Sequence, residues 1–206
     1  RKGKWNKILT LKNSPFLNKY NFLYKENKLT LTLKEEEIFK VDVDKLNERE
    51  ELVDKMIELE SSLKKPIIFM KNEKDPFFDT SISKNLNFIN SVSLLNIQSI
   101  NDFEKKIGKK IETSVFRGNI YFDGIGAWEE RKWIGKIIKI NNLNFKVEKN
   151  IPRCVAINLK PQSEDISFNL LKTLKQIYNH YDMGIYLTPL ENGEISILDK
   201  IQENKK

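Results

Sequence analysis

The sequence predicts a mainly β, α+β fold, in which the second half of the chain forms a closed or nearly closed β-barrel with a few flanking helices. Two observations support this class. Short segments of alternating apolar and polar residues recur along the 206-residue chain. Only three segments show the longer period of an amphipathic helix, and those in the second half are too few for a doubly wound parallel sheet. The helix-poor second half therefore favours a barrel.

The first part of the chain, residues 1–75, is predicted to be a partial β-rich domain. Its clearest signal is the alternation of three leucines with two threonines, which is typical of a strand. A helix follows, because apolar residues recur at helical spacing until Pro66 stops it. The predicted elements are strands at 5–12, 29–33, 39–43 and 67–70 and a helix at 47–64. The polar, turn-rich residues 72–85 are the predicted boundary to a second domain, 76–206.

The second domain is predicted to carry most of the strands. A short helix is expected from Ser99, with Asp102 as its capping-box partner and Gly108 as its stop. The pair Asn192-Gly193 is the expected turn between the last two strands. The predicted elements are strands at 91–96, 119–122, 137–140, 144–148, 155–159, 184–187 and 194–198 and helices at 99–108 and 167–180.

The charge balance leaves several partner classes open. The net charge is +7, from 36 Lys and Arg against 29 Asp and Glu, which is compatible with nucleic acid, an anionic cofactor, or neither. Lysines are interleaved with acids, as in residues 34–40 and 48–60, and they form no basic stripe. Most of the excess is therefore expected to be solvated surface, and we expect no specific nucleic-acid binding.

The cysteine content and the hydropathy indicate the compartment. A single cysteine excludes an internal disulfide framework and fits a reducing compartment, the cytoplasm. No apolar run approaches the roughly 20 residues needed to span a bilayer, and the start does not resemble a signal peptide. The chain begins at Arg1 rather than Met, within sequence that reads as structured, so a missing N-terminal segment is expected.

The single cysteine, Cys154, is the first candidate functional residue. In the strand predicted here, Val155 lies on the apolar side, whereas Cys154 and Asn158 lie on the side of small and polar residues. Arg153 directly precedes the thiol, and a neighbouring guanidinium favours the thiolate that binds metals and attacks electrophiles. The alternative is that Cys154 acts as a small buried hydrophobe, the commoner role of a free cysteine.

A second polar face is predicted in residues 116–123. The alternation places Arg117, Asn119, Tyr121 and Asp123 on one side of a strand. Together with the Cys154 strand, this face can form the wall of a polar pocket. An ordinary half-exposed antiparallel sheet explains the same alternation.

Several short pieces of sequence occur in an order that is typical of one family. They are FRGN at 116–119, AWEERKWIG at 127–135, RCVAINLKP at 153–161, TL at 173–174 and NHYDMGIY at 179–186. With these pieces the chain resembles the MOSC-domain family, named for the C-terminal domain of molybdenum cofactor sulfurases, over residues 79–201. LTLKNSP at 9–15 resembles the β-rich domain that precedes MOSC in bacterial relatives of the amidoxime-reducing component.

The resemblance implies a MOSC-type β-barrel with a pocket for the molybdenum cofactor (molybdopterin), or for sulfur destined for it. The family cysteine corresponds to Cys154, which ligates molybdenum in amidoxime-reducing relatives and is thought to carry a persulfide in sulfurases. Glu130 and Trp133 match family residues for which we expect a structural role. The candidate cofactor-binding residues are Arg117, Asn119, Ser93, Arg153, Lys12 and Asn158.

The chain also departs from the family pattern. Gly118 replaces the usual proline or alanine, Ile157 a common threonine and Lys160 a frequent Asp or Asn. The early basic segment upstream of Lys12 has no counterpart in this sequence. The chain has no pyridoxal-phosphate sulfurase domain, so a link to pyridoxal phosphate is expected only through family association or a separate cysteine desulfurase partner.

Three functions follow as hypotheses. The first is a molybdenum-cofactor-dependent oxidoreductase that reduces small N-hydroxylated or similar N–O and S–O substrates, with Cys154 as the metal ligand. Because the chain has no motif for another redox cofactor, a separate electron-donor protein is expected. The second is a sulfur-carrier or sulfurtransferase domain with Cys154 as persulfide acceptor. The third is a non-enzymatic basic β-barrel that binds RNA, which the interleaved acids disfavour.

Overall fold

The computed structural model describes residues 8–71, 86–166 and 168–203. The chain divides into two compact units, Arg1–Phe78 with Leu159–Ile166 and Asp79–Asn158 with Ser167–Lys206. The sequence placed 159–166 in the second domain, but in the structure it belongs to the first unit. The Asn18 amide donates to the Lys160 carbonyl at 2.7 Å and to the Ser163 carbonyl at 2.5 Å, which ties this segment to that unit.

The first unit is built on a three-stranded antiparallel sheet in the order β1-β2-β3. The strands are β1 (Tyr20–Lys25), β2 (Lys28–Leu33) and β3 (Glu36–Asp42), followed by helix α1 (Leu46–Leu59). Both connections are two-residue turns with positive φ, as tight hairpin turns require. Leu31 is fully buried in a core with Phe16, Tyr20 and Leu63.

Helix α1 ends five residues earlier than its sequence pattern predicted. Glu60 is extended at the C-cap, and its buried carboxylate accepts a hydrogen bond from the Tyr20 hydroxyl at 2.5 Å and pairs with Lys19 at 2.6 Å. The apolar periodicity continues to Leu63, but this tertiary contact turns the chain out of the helix at Glu60.

Two predicted strands of the first unit are wrong within the described residues. Residues 5–7 of the strand predicted at 5–12 lie outside them. Residues 8–12 instead lead into a turn, because the Asn13 side chain accepts a hydrogen bond from the Thr10 amide and Asn13 N–H donates to the Thr10 carbonyl. The strand predicted at 67–70 is irregular, with Ile68 and Met70 largely exposed. The predicted boundary 72–85 also lies outside the described residues.

The second unit is a curled six-stranded half-barrel with two helices, and together with the first unit this confirms the mainly β, α+β class. The sheet has the order β5-β4-β8-β7-β6-β9, and only the β4–β5 pair is parallel. Its strands are β4 (Val92–Asn96), β5 (Ile120–Phe122), β6 (Ile137–Ile140), β7 (Leu143–Pro152), β8 (Asp182–Pro189) and β9 (Ile201–Glu203). The helices are α2 (Ile97–Ile107) and α3 (Leu170–Tyr178).

The half-barrel remains open between its edge strands, β5 and β9. Each of these strands has only three residues, and a groove of about 830 Å³ lies between them. The strand predicted at 194–198 is wrong: Ser196 N–H donates to the Asp199 carboxylate in a turn, and Ile197 and Leu198 are almost fully exposed. The last strand therefore starts at Ile201.

Both faces of the sheet are buried. On β4, Leu94 packs into one core with Ile185 and Leu187, whereas Leu95 packs into the other with residues of α2 and α3. This accounts for the nearly continuous apolar run of β4, because a strand buried on both faces does not alternate.

The helix caps differ from the sequence expectation. Asn96, rather than Ser99, caps α2, and its side chain accepts a hydrogen bond from Gln98 N–H. Gly108 ends the helix in the left-handed conformation, as predicted. Helix α3 starts at Leu170, because the Asn169 side chain caps it by accepting from Lys172 N–H.

Glu130 is a fully buried carboxylate that holds the 3-10 turn Glu129–Trp133 to the start of α2. It accepts hydrogen bonds from the Asn96 amide at 2.9 Å and from the Ser99 hydroxyl at 2.8 and 3.0 Å. Ser99 in turn accepts from Trp128 N–H at 2.8 Å. Ser99 is therefore buried in this network instead of capping the helix.

Replacing Glu130 should weaken the second unit strongly. Glu130→Ala leaves the buried Ser99 hydroxyl without its acceptor and the Asn96 amide with only the Gly126 carbonyl, so we expect a loss of about 3 kcal/mol in the free energy of unfolding in urea. Glu130→Gln retains one acceptor oxygen and should lose less. The exposed neighbour provides the control, and Glu129→Gln should change stability by less than about 0.5 kcal/mol. Equal stability of the Ala variant and the wild type would contradict this role.

The single histidine, His180, lies in an aromatic cluster in the same unit. Its ring stacks on Tyr178, and its Nδ1 accepts a hydrogen bond from Asp182 N–H. Burial, and then the charge of Arg131, hold the pKa of His180 below its usual value. The folded protein therefore disfavours the protonated imidazole.

Stability should fall when His180 is forced to take a proton. Because its folded pKa is depressed, the unfolded chain binds the proton more readily, and stability is lost as the pH falls through the unfolded value of about 6.5. We expect the free energy of unfolding of the wild type, measured in urea, to fall as the pH is lowered from about 7.5 to about 5.5. His180→Gln should remove most of that fall. An unchanged pH dependence in the variant would assign the effect to other groups.

Candidate functional site

Cys154 lies two residues after the end of β7, directly before the 3-10 turn Val155–Asn158. The strand predicted at 155–159 is therefore wrong, because β7 ends at Pro152 and the chain turns when Ile157 N–H bonds back to the Cys154 carbonyl. The thiol is nevertheless exposed, and Ile157 is buried in the core beneath it. Cys154 is therefore not a buried cysteine that acts as a small hydrophobic residue.

Arg153 is half-buried beside the thiol. Its Nε and Nη2 donate to the Met183 carbonyl and its Nη1 donates to the Phe116 carbonyl at 2.7 Å. Burial lowers the pKa of Arg153 to about 10. Its guanidinium therefore joins β8 to the loop before β5, and among the described residues it pairs with no carboxylate.

Arg117 approaches the thiol from the other loop. Its backbone has φ +49°, in the left-handed region. Its Nη1 donates to the Val115 carbonyl at 2.9 Å and to the Ala156 carbonyl at 2.8 Å, two residues after Cys154. Burial lowers the pKa of Arg117, and attraction to the Cys154 sulfur opposes that shift. The structure therefore brings Arg117, Arg153 and Cys154 together, as the sequence analysis proposed.

Ser93 and Asn119 are joined by several hydrogen bonds. The Asn119 side-chain oxygen accepts from the Ser93 amide at 2.9 Å and from its hydroxyl at 2.8 Å, while Asn119 N–H donates to the same hydroxyl. This reciprocal set fixes the loop after Arg117 to β4. Ser93 lies in β4, whose exposure does not alternate, and Asn119 lies directly before β5, which begins at Ile120.

The other two candidates lie elsewhere. Asn158 is buried under α3, where its side chain accepts from Leu171 N–H at 3.0 Å and donates to Asn169 at 3.2 Å. Lys12 lies on an exposed turn of the first unit. The geometry gives Asn158 a role at the start of α3.

Tyr121 is a site residue that the sequence analysis placed on the polar face but did not select. Its hydroxyl donates to the Thr113 carbonyl at 3.1 Å and accepts from Gly118 N–H at 3.0 Å. The sequence signal for it is the alternation within residues 116–123, which does not distinguish it from its neighbours on that face. A hydroxyl that bonds to backbone atoms leaves no pattern in the sequence by which it can be recognised.

The arrangement suits an anionic sulfur chemistry. An exposed thiol with two guanidinium groups nearby lies in an electropositive surrounding, which favours the binding of an anion. Within the described ranges, no three His, Cys, Asp or Glu side chains come together to hold a metal ion. No helix among those residues is long and apolar enough to cross a membrane.

A family model described as the MOSC domain matches residues 87–202, a span that contains Ser93, Arg117, Asn119 and Cys154. Molybdenum cofactor sulfurase 2 of Aedes aegypti is 29% identical over 79 residues, or 38% of this chain and 10% of that protein. The chain therefore spans about a tenth of the length of this relative.

Two solved structures show a distant likeness. YiiM from Geobacillus stearothermophilus aligns with 14% identity and a TM-score of 0.42, over 55% of this chain and 54% of that chain. The crystal structure of a hypothetical protein aligns with 15% identity and the same TM-score, over 56% and 52%.

Removing the Arg153 side chain should destabilise the loops around Cys154. Arg153→Met keeps the apolar stem but leaves the carbonyls of Phe116 and Met183 without their donors, and we expect a loss of about 2–4 kcal/mol in urea unfolding. Arg153→Lys should lose less, because one ammonium can bond to one carbonyl but cannot bridge both as the fork does. A Met variant as stable as the wild type would show that the bridge contributes nothing.

Proposed function

The chain belongs to the MOSC domain family, and on that basis we propose that it binds the molybdenum cofactor through Cys154 and reduces small N-hydroxylated or similar N–O and S–O compounds. One observation carries the proposal: the exposed Cys154 thiol lies beside two arginines that are anchored to backbone carbonyls. The MOSC family is associated with this cofactor through its molybdenum cofactor sulfurases.

The residues present fit such a group. Thiolate sulfur is a soft ligand that suits a transition metal, and Cys154 is accessible to solvent. Arg117 supplies fixed positive charge for the anionic part of the cofactor, and the Ser93–Asn119 pair shapes the loop beside it. Arg153 acts on the same site through the backbone it holds.

When bound, the cofactor supplies oxygen-atom transfer with a two-electron change at molybdenum. The chain's own contribution is to present the Cys154 sulfur as a ligand, to place the positive charge of Arg117 beside it and to keep the site open to a small substrate. The electrons are proposed to come from a separate donor protein.

A second candidate function is sulfur transfer. The exposure of Cys154 favours it, because an acceptor thiol must meet the persulfide of a partner. In this step the Cys154 thiolate attacks the outer sulfur of the partner's persulfide, a new S–S bond forms and the partner leaves as a thiolate. A cysteine desulfurase is the proposed partner.

Removal of the thiol should separate these functions from a structural role. We expect Cys154→Ala to fold normally, because the exposed thiol contributes little packing, and to lose molybdenum by at least about tenfold after expression in cofactor-competent cells. Metal analysis measures molybdenum, and cyanolysis measures sulfane sulfur. The exposed Gln176→Ala in the same unit is the matched control and should retain both contents.

The two contents distinguish the candidates. Molybdenum without sulfane sulfur in the wild type supports the reductase, whereas sulfane sulfur without molybdenum supports the carrier. A wild type that holds neither, or a Cys154→Ala variant that holds as much as the wild type, would reject both functions for this thiol.

A further inference from the structure

The Tyr121 hydroxyl closes the loop that carries Arg117. It donates to the Thr113 carbonyl and accepts from Gly118 N–H, so one oxygen joins the first residue of the 3-10 turn Thr113–Phe116 to the residue after Arg117. The ring itself packs against the core around Leu95. A rigid side chain anchored in that core therefore sets the shape of the loop.

Gly118 is matched to this tyrosine. A Cβ at position 118 would lie 2.5 Å from Leu95 Cδ1 and 3.0 Å from the Tyr121 ring, so the ring and Leu95 occupy the space that a side chain would need. The absent side chain also lets the Gly118 amide reach the Tyr121 hydroxyl at 3.0 Å. Gly118 and Tyr121 are thus packed against each other and hydrogen-bonded, and we refer to them as the Gly118–Tyr121 pair.

The Gly118–Tyr121 pair helps to fix the backbone of the preceding residue, Arg117. Arg117 adopts a left-handed backbone, which is uncommon for a residue with a side chain and persists only where neighbouring contacts impose it. Gly118 is held by Tyr121 on one side, and the Phe116 carbonyl is held by Arg153 on the other. From this turn the Arg117 guanidinium reaches the Ala156 carbonyl, in the loop that starts with Cys154.

We propose that Tyr121 is a positioning residue for Arg117, and that it locks the left-handed turn which places a fixed positive charge beside Cys154. The proposal rests on the proposed function, since it takes Cys154 as the reactive group. Its consequence is a preference of this thiol for anionic over neutral reaction partners. That preference is a property of the protein without any cofactor and can be measured separately.

The preference is measured with two alkylating reagents that react with the same thiolate. Iodoacetate is an anion and iodoacetamide is neutral. The ratio used is the second-order rate constant for iodoacetate divided by that for iodoacetamide. The fraction of thiolate cancels in this ratio, which therefore reports the local charge. Cys154 is the only cysteine, and each rate therefore belongs to this site. We expect Tyr121→Phe to lower the ratio by about threefold to tenfold at low salt, the effect of displacing one nearby charge.

Two comparisons show whether the effect passes through Arg117. Arg117→Met should lower the ratio by a similar factor, and the double variant should show no further loss, because both changes remove the same charge. Tyr178→Phe is the matched control: it removes another half-buried hydroxyl of the same unit, one that donates to Asp102, and it should leave the ratio unchanged.

The outcomes are decisive in both directions. A Tyr121→Phe protein that folds and keeps the wild-type ratio overturns the proposal, as does additive loss in the double variant. An unchanged ratio in Arg117→Met also overturns it. Should Tyr121→Phe not fold, Gly118→Ala tests the same Gly118–Tyr121 pair by displacing the tyrosine ring. An unchanged ratio in that variant rejects the proposal. Molybdenum and sulfane sulfur contents decide the proposed function independently of this ratio.

Discussion

Two arginine side chains cross between the loops that meet at Cys154. Arg153, next to the thiol, donates to the Phe116 carbonyl of the opposite loop, and Arg117 of that loop donates to the Ala156 carbonyl. Each loop is therefore held by the guanidinium of the other. Because Arg153 is bound by carbonyl dipoles rather than by a carboxylate, its charge is not cancelled locally, and the loops that are fixed in this way also surround the thiol with positive potential.

The half-barrel makes this crossing possible. Strand β7 loses its regular register with β8 between Asn150 and Pro152, and this irregularity releases the chain from the sheet just before Arg153. On β8, Gly184 has φ +81°, and a Cβ there would lie 2.6 Å from the Leu94 carbonyl, so only glycine allows β8 to approach β4 this closely. The neighbouring Met183 carbonyl is then within reach of the Arg153 side chain.

Local patterns were reliable where one residue type imposes one conformation. The leucine–threonine alternation predicted β2, Gly108 predicted the end of α2, and the FRGN and RCVAINLKP pieces located Arg117 and Cys154. The errors occurred where a tertiary contact competes with the pattern. Glu60 leaves the helix to meet Tyr20, Ser99 turns to Glu130 instead of capping α2, and the alternation after Cys154 describes a 3-10 turn.

Composition and motifs alone therefore determined the fold class, the family and the residues at the centre of the candidate site, because these depend on residue types at fixed spacing along the chain. Only the tertiary structure decided what those residues do for one another. It assigned Arg153 to the backbone of two distant segments, Asn158 to the start of α3 and Tyr121 to the turn of Arg117. These contacts join side chains to carbonyl and amide groups, which every residue carries, so no pattern of residue types can predict them.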